Sequence, residues 1–233
     1  GATRRTRRVW WALSQGSHDA SFAWHPAGPP ETLEFTNVND YAQVYLNGEP
    51  VGTLDRRLGQ KSVELPERKK PGTLEILVEA MGHINFHISM ESDRKGLHGP
   101  VKLGTRELKN WTVRALPLKA DSMVRAPKGK GPSQKREGAH FRAVVNIEEP
   151  QDTFLDMSRY AKGYVWVNGV NVGRYWNVGP QLRLYVPAPF LKKGENVIDV
   201  LDLHEKEPKP IRGMKERNKE PGKIDTKNLD NQW

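Results

Sequence analysis

Val44-Tyr-Leu-Asn-Gly-Glu-Pro-Val-Gly52 returns 121 positions later as Val165-Trp-Val-Asn-Gly-Val-Asn-Val-Gly173. In each copy an apolar strand runs into Asn-Gly and a second short strand closes on glycine. Asn-Gly suits a type I′ turn, because both central residues need positive φ and the twist fits an antiparallel hairpin. The flanks repeat as well. Tyr41-Ala42 precedes the first copy and Tyr160-Ala161 the second; Val63-Glu-Leu-Pro66 matches Leu184-Tyr-Val-Pro187. Leu74-Glu-Ile-Leu-Val-Glu79 then matches Val197-Ile-Asp-Val-Leu-Asp202. Order and spacing hold over roughly 40 residues, and the period is too long for a solenoid unit, so the reading is two copies of one β domain.

The remainder of the chain agrees. Its 233 residues admit two modest domains, each able to bury a core without disulfides. There is no cysteine, which excludes disulfides and thiolate chemistry and leaves the compartment open. No apolar run approaches the roughly 20 residues of a membrane span, and the apolar part of Arg4-Arg-Thr-Arg-Arg-Val-Trp-Trp-Ala-Leu13 is short for a signal peptide, so no membrane partner is expected. The net charge of +9 invites a nucleic-acid reading, but the excess sits in residues 1–8 and 119–142 and leaves the presumptive sandwiches near neutral. A dedicated nucleic-acid binder carries its basic stripe on the fold, among stacking aromatics. No nucleic acid and no cofactor are expected.

Residues 1–30 read as an irregular basic arm, 31–118 as the first β-sandwich, 119–139 as a basic linker rich in Pro and Gly, 140–203 as the second sandwich, and 204–233 as an extended polar tail. Asp156–Tyr160 is expected to make a turn at most. Many short strands with Gly/Pro punctuation predict an all-β protein of two tandem jelly-roll sandwiches with little helix.

Longer motifs give the second copy a family likeness. Asp152-Thr-Phe-Leu-Asp-Met157, Lys162-Gly-Tyr-Val-Trp-Val-Asn-Gly-Val-Asn-Val-Gly-Arg-Tyr-Trp176, Gly179-Pro-Gln181 and Leu184-Tyr-Val-Pro187 resemble the C-terminal β domain of family 35 glycoside hydrolases, the β-galactosidases. The first copy is similar to the same family through Leu77-Val-Glu-Ala-Met-Gly82, Asp93-Arg-Lys-Gly96, Leu108-Lys-Asn-Trp-Thr-Val113 and Leu116-Pro117. The resemblance implies galactose-binding-like jelly rolls that accompany a catalytic TIM barrel, and on its own it suggests a periplasmic or extracellular setting. The barrel's Asn-Glu-Tyr-Gly acid/base motif and its nucleophile glutamate have no counterpart here, so no catalytic residue carries over. A retaining glycosidase needs two carboxyls about 5–5.5 Å apart and an inverting one about 6.5–9.5 Å, around a sugar-shaped cleft. The acids of this chain are scattered, so hydrolysis by the chain alone is not expected.

Two departures from the family pattern stand out. Where relatives read Met-Gly-Arg-x-Asn-(Phe/Tyr)-Gly, this chain has Met81-Gly-His-Ile-Asn-Phe-His87. Read as a strand, it puts His83, Asn85 and His87 on one face, with the histidine Cα atoms about 13 Å apart. That is too far to share a zinc with ligands at about 2 Å, so no metal is expected. Residues 1–30 also lack the usual opening aromatic strand, which leaves the first sandwich incomplete or borrowing Val9–Leu13 as an edge.

Without a barrel, the expected role is a non-catalytic, carbohydrate-associated module that binds galactose-containing glycans or supports a glycoside hydrolase. The alternative is a purely structural fragment whose partner is the catalytic barrel. Sugars stack on exposed aromatic rings while Asn, Arg and Gln serve the hydroxyls. The densest such cluster is Arg174, Tyr175, Trp176, Asn177 and Gln181, read as a loop after the second hairpin, with Trp111 a lesser candidate. Trp166, in an apolar strand, reads as core.

Overall fold

Both Asn-Gly pairs make the turns their sequence predicts. Asn47 and Gly48 take φ of 53° and 78°, and Asn168 and Gly169 take 49° and 86°, the left-handed pair a type I′ hairpin needs. The computed structural model describes residues 4–7, 19–25, 27–115, 118, 137–180 and 182–218, the first two stretches as backbone strands only. Apart from three short 3-10 turns, the regular structure of these residues is all strand, as the turn-punctuated sequence predicts.

The chain forms two units. Strand β1 (Arg4–Arg7) belongs to the second, and β2 (Asp19–His25) opens the first. The first unit continues with β3 (Glu31–Asn39), β4 (Tyr41–Leu46), β5 (Glu49–Asp55), β6 (Ser62–Leu65), β7 (Gly72–Glu79), β8 (Gly96–Leu103), β9 (Arg106–Leu108) and β10 (Thr112–Arg114). One sheet has the order β10-β2-β7-β4-β5 and the other β6-β3-β8-β9, with every pairing antiparallel. Leu33, Phe35, Ala42, Val44, Leu74, Ile76, Val101 and Leu103 fill the core between them. Alternation along β4 and β7 supplies one apolar face to that core.

The second unit holds β11 (Ala139–Ile147), β12 (Thr153–Asp156), β13 (Lys162–Val167), β14 (Val170–Trp176), β15 (Arg183–Val186), β16 (Gly194–Asp202) and β17 (Arg212–Met214). Its sheets run β1-β11-β16-β13-β14 and β15-β12-β17. The sequence repeat is thus a repeat of topology. β4-β5 corresponds to β13-β14, β7 to β16, β6 to β15, β3 to β12, β2 to β11 and β8 to β17. The outer strand of the larger sheet is β10 in one unit and β1 in the other. For β9, no counterpart exists among the described residues.

Several expectations are corrected. The stretch expected to be an irregular arm contains two strands. It is Asp19–His25 that pairs with β7, while the proposed edge at Val9–Leu13 lies outside the described residues. Met81–His87 is not a strand: it is a loop that leads into a 3-10 turn at Ile88–Glu91, so its histidines do not share a strand face. Gly82 and the Asn85-Phe-His87 bend interrupt the period-2 pattern that suggested one. The polar tail also contributes a strand, β17, paired with β12.

Candidate functional site

Of the densest sugar-binding candidate, Arg174–Asn177, the stretch Arg174–Trp176 is strand and only Asn177 falls in the turn that follows. Arg174, Tyr175 and Trp176 are the last residues of β14, and strand parity separates them. Arg174 stands opposite Tyr164 and Trp176 opposite Lys162 on β13, whereas Tyr175 faces Gly163 and points into the core. There it is 1% exposed. Its hydroxyl donates to Asp202 Oδ2 at 2.8 Å and lies 3.1 Å from the Leu201 carbonyl oxygen. Gly163 makes room for it, since a Cβ there would sit 1.8 Å from Leu201 O and 2.7 Å from the Tyr175 hydroxyl oxygen. Burial, and then the Asp202 charge, push the Tyr175 phenol well above its ordinary pKa. Tyr175 is therefore a packing and hydrogen-bonding residue, with no path to a ligand.

Asp202 completes this assembly. It accepts from the backbone N–H groups of Ala161, His204 and Glu205 at 2.8–3.0 Å, besides the tyrosine. Burial raises its pKa against the pull of these donors. A raised carboxyl suits a general acid, but Asp202 is itself 1% exposed and holds a turn.

Trp176 and Arg174 remain half-buried on the opposite face of β14. The Lys162 ammonium sits 4.3 Å from the Trp176 ring centroid, a cation–π contact. Asn177 is exposed, and its N–H donates to the Ala161 carbonyl at 2.8 Å. Gln181 lies outside the described residues. Trp111 belongs to the first unit, where it packs against the core and donates its indole N–H to Leu108 O at 3.1 Å. Trp166 is fully buried, as its apolar strand predicts.

The most densely charged constellation of the first unit was not anticipated. Asp40 and Asp93, both buried, accept from the same Arg56 Nη1 at 2.9 Å each. Lys95 Nζ lies 3.0 Å from both carboxylates. Met81 N–H donates to Asp40 at 2.7 Å and Ile84 N–H to Asp93 at 3.3 Å. Burial alone would raise the Asp93 pKa, but hydrogen bonds from Arg56, Lys95 and Ile84 hold it at about 2. A carboxylate this strongly stabilised does not act as a proton donor near neutrality. The members lie 2 to 55 positions apart, and the one local signal was the Asp93-Arg-Lys-Gly96 motif.

Above this ion cluster stands the loop 82–91. Phe86 and Ile88 are each 90% exposed and Met90 50%. Single exposed apolar residues are ordinary; here three fall within five positions of one loop.

Comparison with known proteins assigns both units. The β-galactosidase first all-β domain matches residues 24–118, and the β-galactosidase galactose-binding domain matches residues 139–196. The chain belongs to the β domains of the β-galactosidases. A β-galactosidase of Xanthomonas manihotis is 41% identical over 157 residues, covering 66% of this chain and 25% of that protein. The mouse β-galactosidase is 37% identical over 192 residues, covering 72% of this chain and 29% of its own length. Mouse β-galactosidase-1-like protein 3 is 34% identical over 176 residues, covering 74% and 27%. The chain therefore spans about a quarter of the length of the relatives it matches. Among its described residues no group of three or more His, Asp or Glu could hold a metal ion, and no helix is long and apolar enough to cross a membrane.

Proposed function

We propose that this chain is the non-catalytic β region of a β-galactosidase and supports the hydrolase part through the loop 82–91. The observation that carries the reading is the apolar tip of Phe86, Ile88 and Met90 on a base fixed by Asp40, Asp93, Arg56 and Lys95. A rigid base with an uncovered apolar tip suits insertion into another protein surface, because the ordering cost is met before contact. The Asp40 and Asp93 carboxylates, bridged by Arg56 and Lys95, are not free for glycoside chemistry.

The test uses the Xanthomonas manihotis relative with its matching region removed. Adding this chain is expected to restore galactoside hydrolysis and to give a complex in sedimentation. The Phe86→Ser/Ile88→Ser double variant is expected to weaken the complex by at least about tenfold. Hydrolysis by this chain alone, or restoration that ignores the double variant, would reject the proposal.

A second reading, direct binding of galactose-containing glycans, is favoured by one observation: Arg174 and Trp176 share a strand face beside exposed Asn177. Titration with galactose, lactose and a galactan, with Trp176→Ala alongside, decides it. Saturable binding weakened by the substitution supports it, and absence of binding in the folded chain removes it for these ligands.

A further inference from the structure

The two units close their sandwiches differently. In the first, β8 has a partner on each side, β3 and β9, and Leu103 pairs with Arg106 while Val101 pairs with Leu108. Leu108 is buried and Trp111, three residues on, packs on the same core. In the second unit the counterpart of β8 is β17. It pairs with β12 through Phe154–Met214, Leu155–Gly213 and Asp156–Arg212, and among the described residues its other edge has no strand beside it.

Next to that edge a cleft of about 560 Å³ opens between β11 and β17. Val145, Ile147, Leu191, Ile198, Ile211 and Met214 line it, and each is only half-buried. The cleft is mainly apolar, of a size that holds a bound group. An unpaired strand edge offers backbone donors and acceptors, and beside an apolar cleft it forms the two halves of a strand-addition site. The internal repeat specifies the guest, since in the first unit the same position takes an extended segment that delivers Leu108 and Trp111.

We propose that the second unit binds an extended peptide strand along the edge of β17 that no described strand pairs, with two bulky apolar side chains at Leu-x-x-Trp spacing entering the cleft. This rests on the repeat and the cleft, independently of the hydrolase reading.

The probe is a fluorescent synthetic peptide, Arg-Glu-Leu-Lys-Asn-Trp-Thr-Val-Arg, the sequence of residues 106–114, titrated into the full chain. Saturable binding is expected, with amide exchange at 212–214 slowed by about tenfold or more. Val145→Asp and the milder Ile211→Ser are each expected to weaken binding by about tenfold, with folding checked by circular dichroism. Val170→Asp, on the exposed start of β14, leaves it unchanged. The proposal fails if the peptide does not bind, or if a copy with Ser in place of Leu and Trp binds as well. It also fails if neither cleft variant matters, or if the cleft takes an apolar dye such as anilinonaphthalene sulfonate but not the peptide.

Discussion

Asp40 and Asp93, 53 residues apart, share one guanidinium nitrogen of Arg56 at 2.9 Å each. Two carboxylates held that close are tolerable only while cations sit between them, and Lys95 is the second cation. Arg56 is itself partly exposed, so it closes the cluster from the solvent side. Arg56→Ala is expected to destabilise the first unit by about 3–5 kcal/mol, the usual cost of stranding a buried charge. Chemical denaturation of the variant beside the parent measures it.

The same cluster sets an acid limit. Asp93 titrates at about 2 in the fold, below its ordinary value near 3.9. A lowered folded pKa gives stability that is present above the unfolded value and is lost as pH falls toward the folded one. Melting temperatures of the first unit should therefore hold down to pH near 4 and drop between there and about 2. In Asp93→Asn the melting temperature starts lower and this step is reduced.

Gly163 and Tyr175 form a steric pair. Any side chain at 163 meets a backbone oxygen at 1.8 Å, which cannot move without breaking the pairing of β13 with β16. Gly163→Ala is expected to cost about 3 kcal/mol or more, and Tyr175→Phe, which removes the hydroxyl's contacts with Asp202 and the Leu201 carbonyl, about 1–3 kcal/mol. A larger loss for the tyrosine variant than for the glycine variant would contradict this account.

The two turn asparagines are not equivalent. Asn168 donates to Phe190 O and Asn196 Oδ1 at 2.8 Å and accepts from Val197 N–H at 2.9 Å. Asn47 accepts from Thr73 N–H at 2.8 Å. With about 1 kcal/mol per bond, Asn168→Ala should cost about 2 kcal/mol more than Asn47→Ala. Equal losses in thermal unfolding would show that the turn conformation alone matters at both.

Trp111→Ala should behave as a core deletion. About 2–4 kcal/mol of stability is expected to go, with galactoside affinity, if any, untouched.

Much of this architecture is legible in the chain because its signals are local. Asn-Gly pairs dictate turns from two residues, and the echo of Val44–Gly52 in Val165–Gly173 predicts equivalent hairpins that the sheet order bears out. The site was harder. Arg174, Tyr175, Trp176 and Asn177 are neighbours in sequence, yet a pleated strand sends Tyr175 to the other face, and the small Gly163 opposite was the available clue. His83 and His87 were misplaced for a related reason, since alternation in a six-residue stretch does not distinguish a strand from a loop that precedes a 3-10 turn. The Asp40–Arg56–Asp93–Lys95 cluster is assembled by tertiary folding and left only its Asp93-Arg-Lys-Gly96 fragment to be seen.

Strand β1 pairs with β11, and every described strand of the first unit lies between them in the chain. During synthesis β1 leaves the ribosome before β11 and waits through more than a hundred residues for that neighbour. The second unit cannot be excised by a single cut between the two units, since that cut leaves β1 attached to the first unit. Any attempt to produce the second unit alone must bring residues 4–7 along by circular permutation, joining them after the tail or supplying them as a separate peptide.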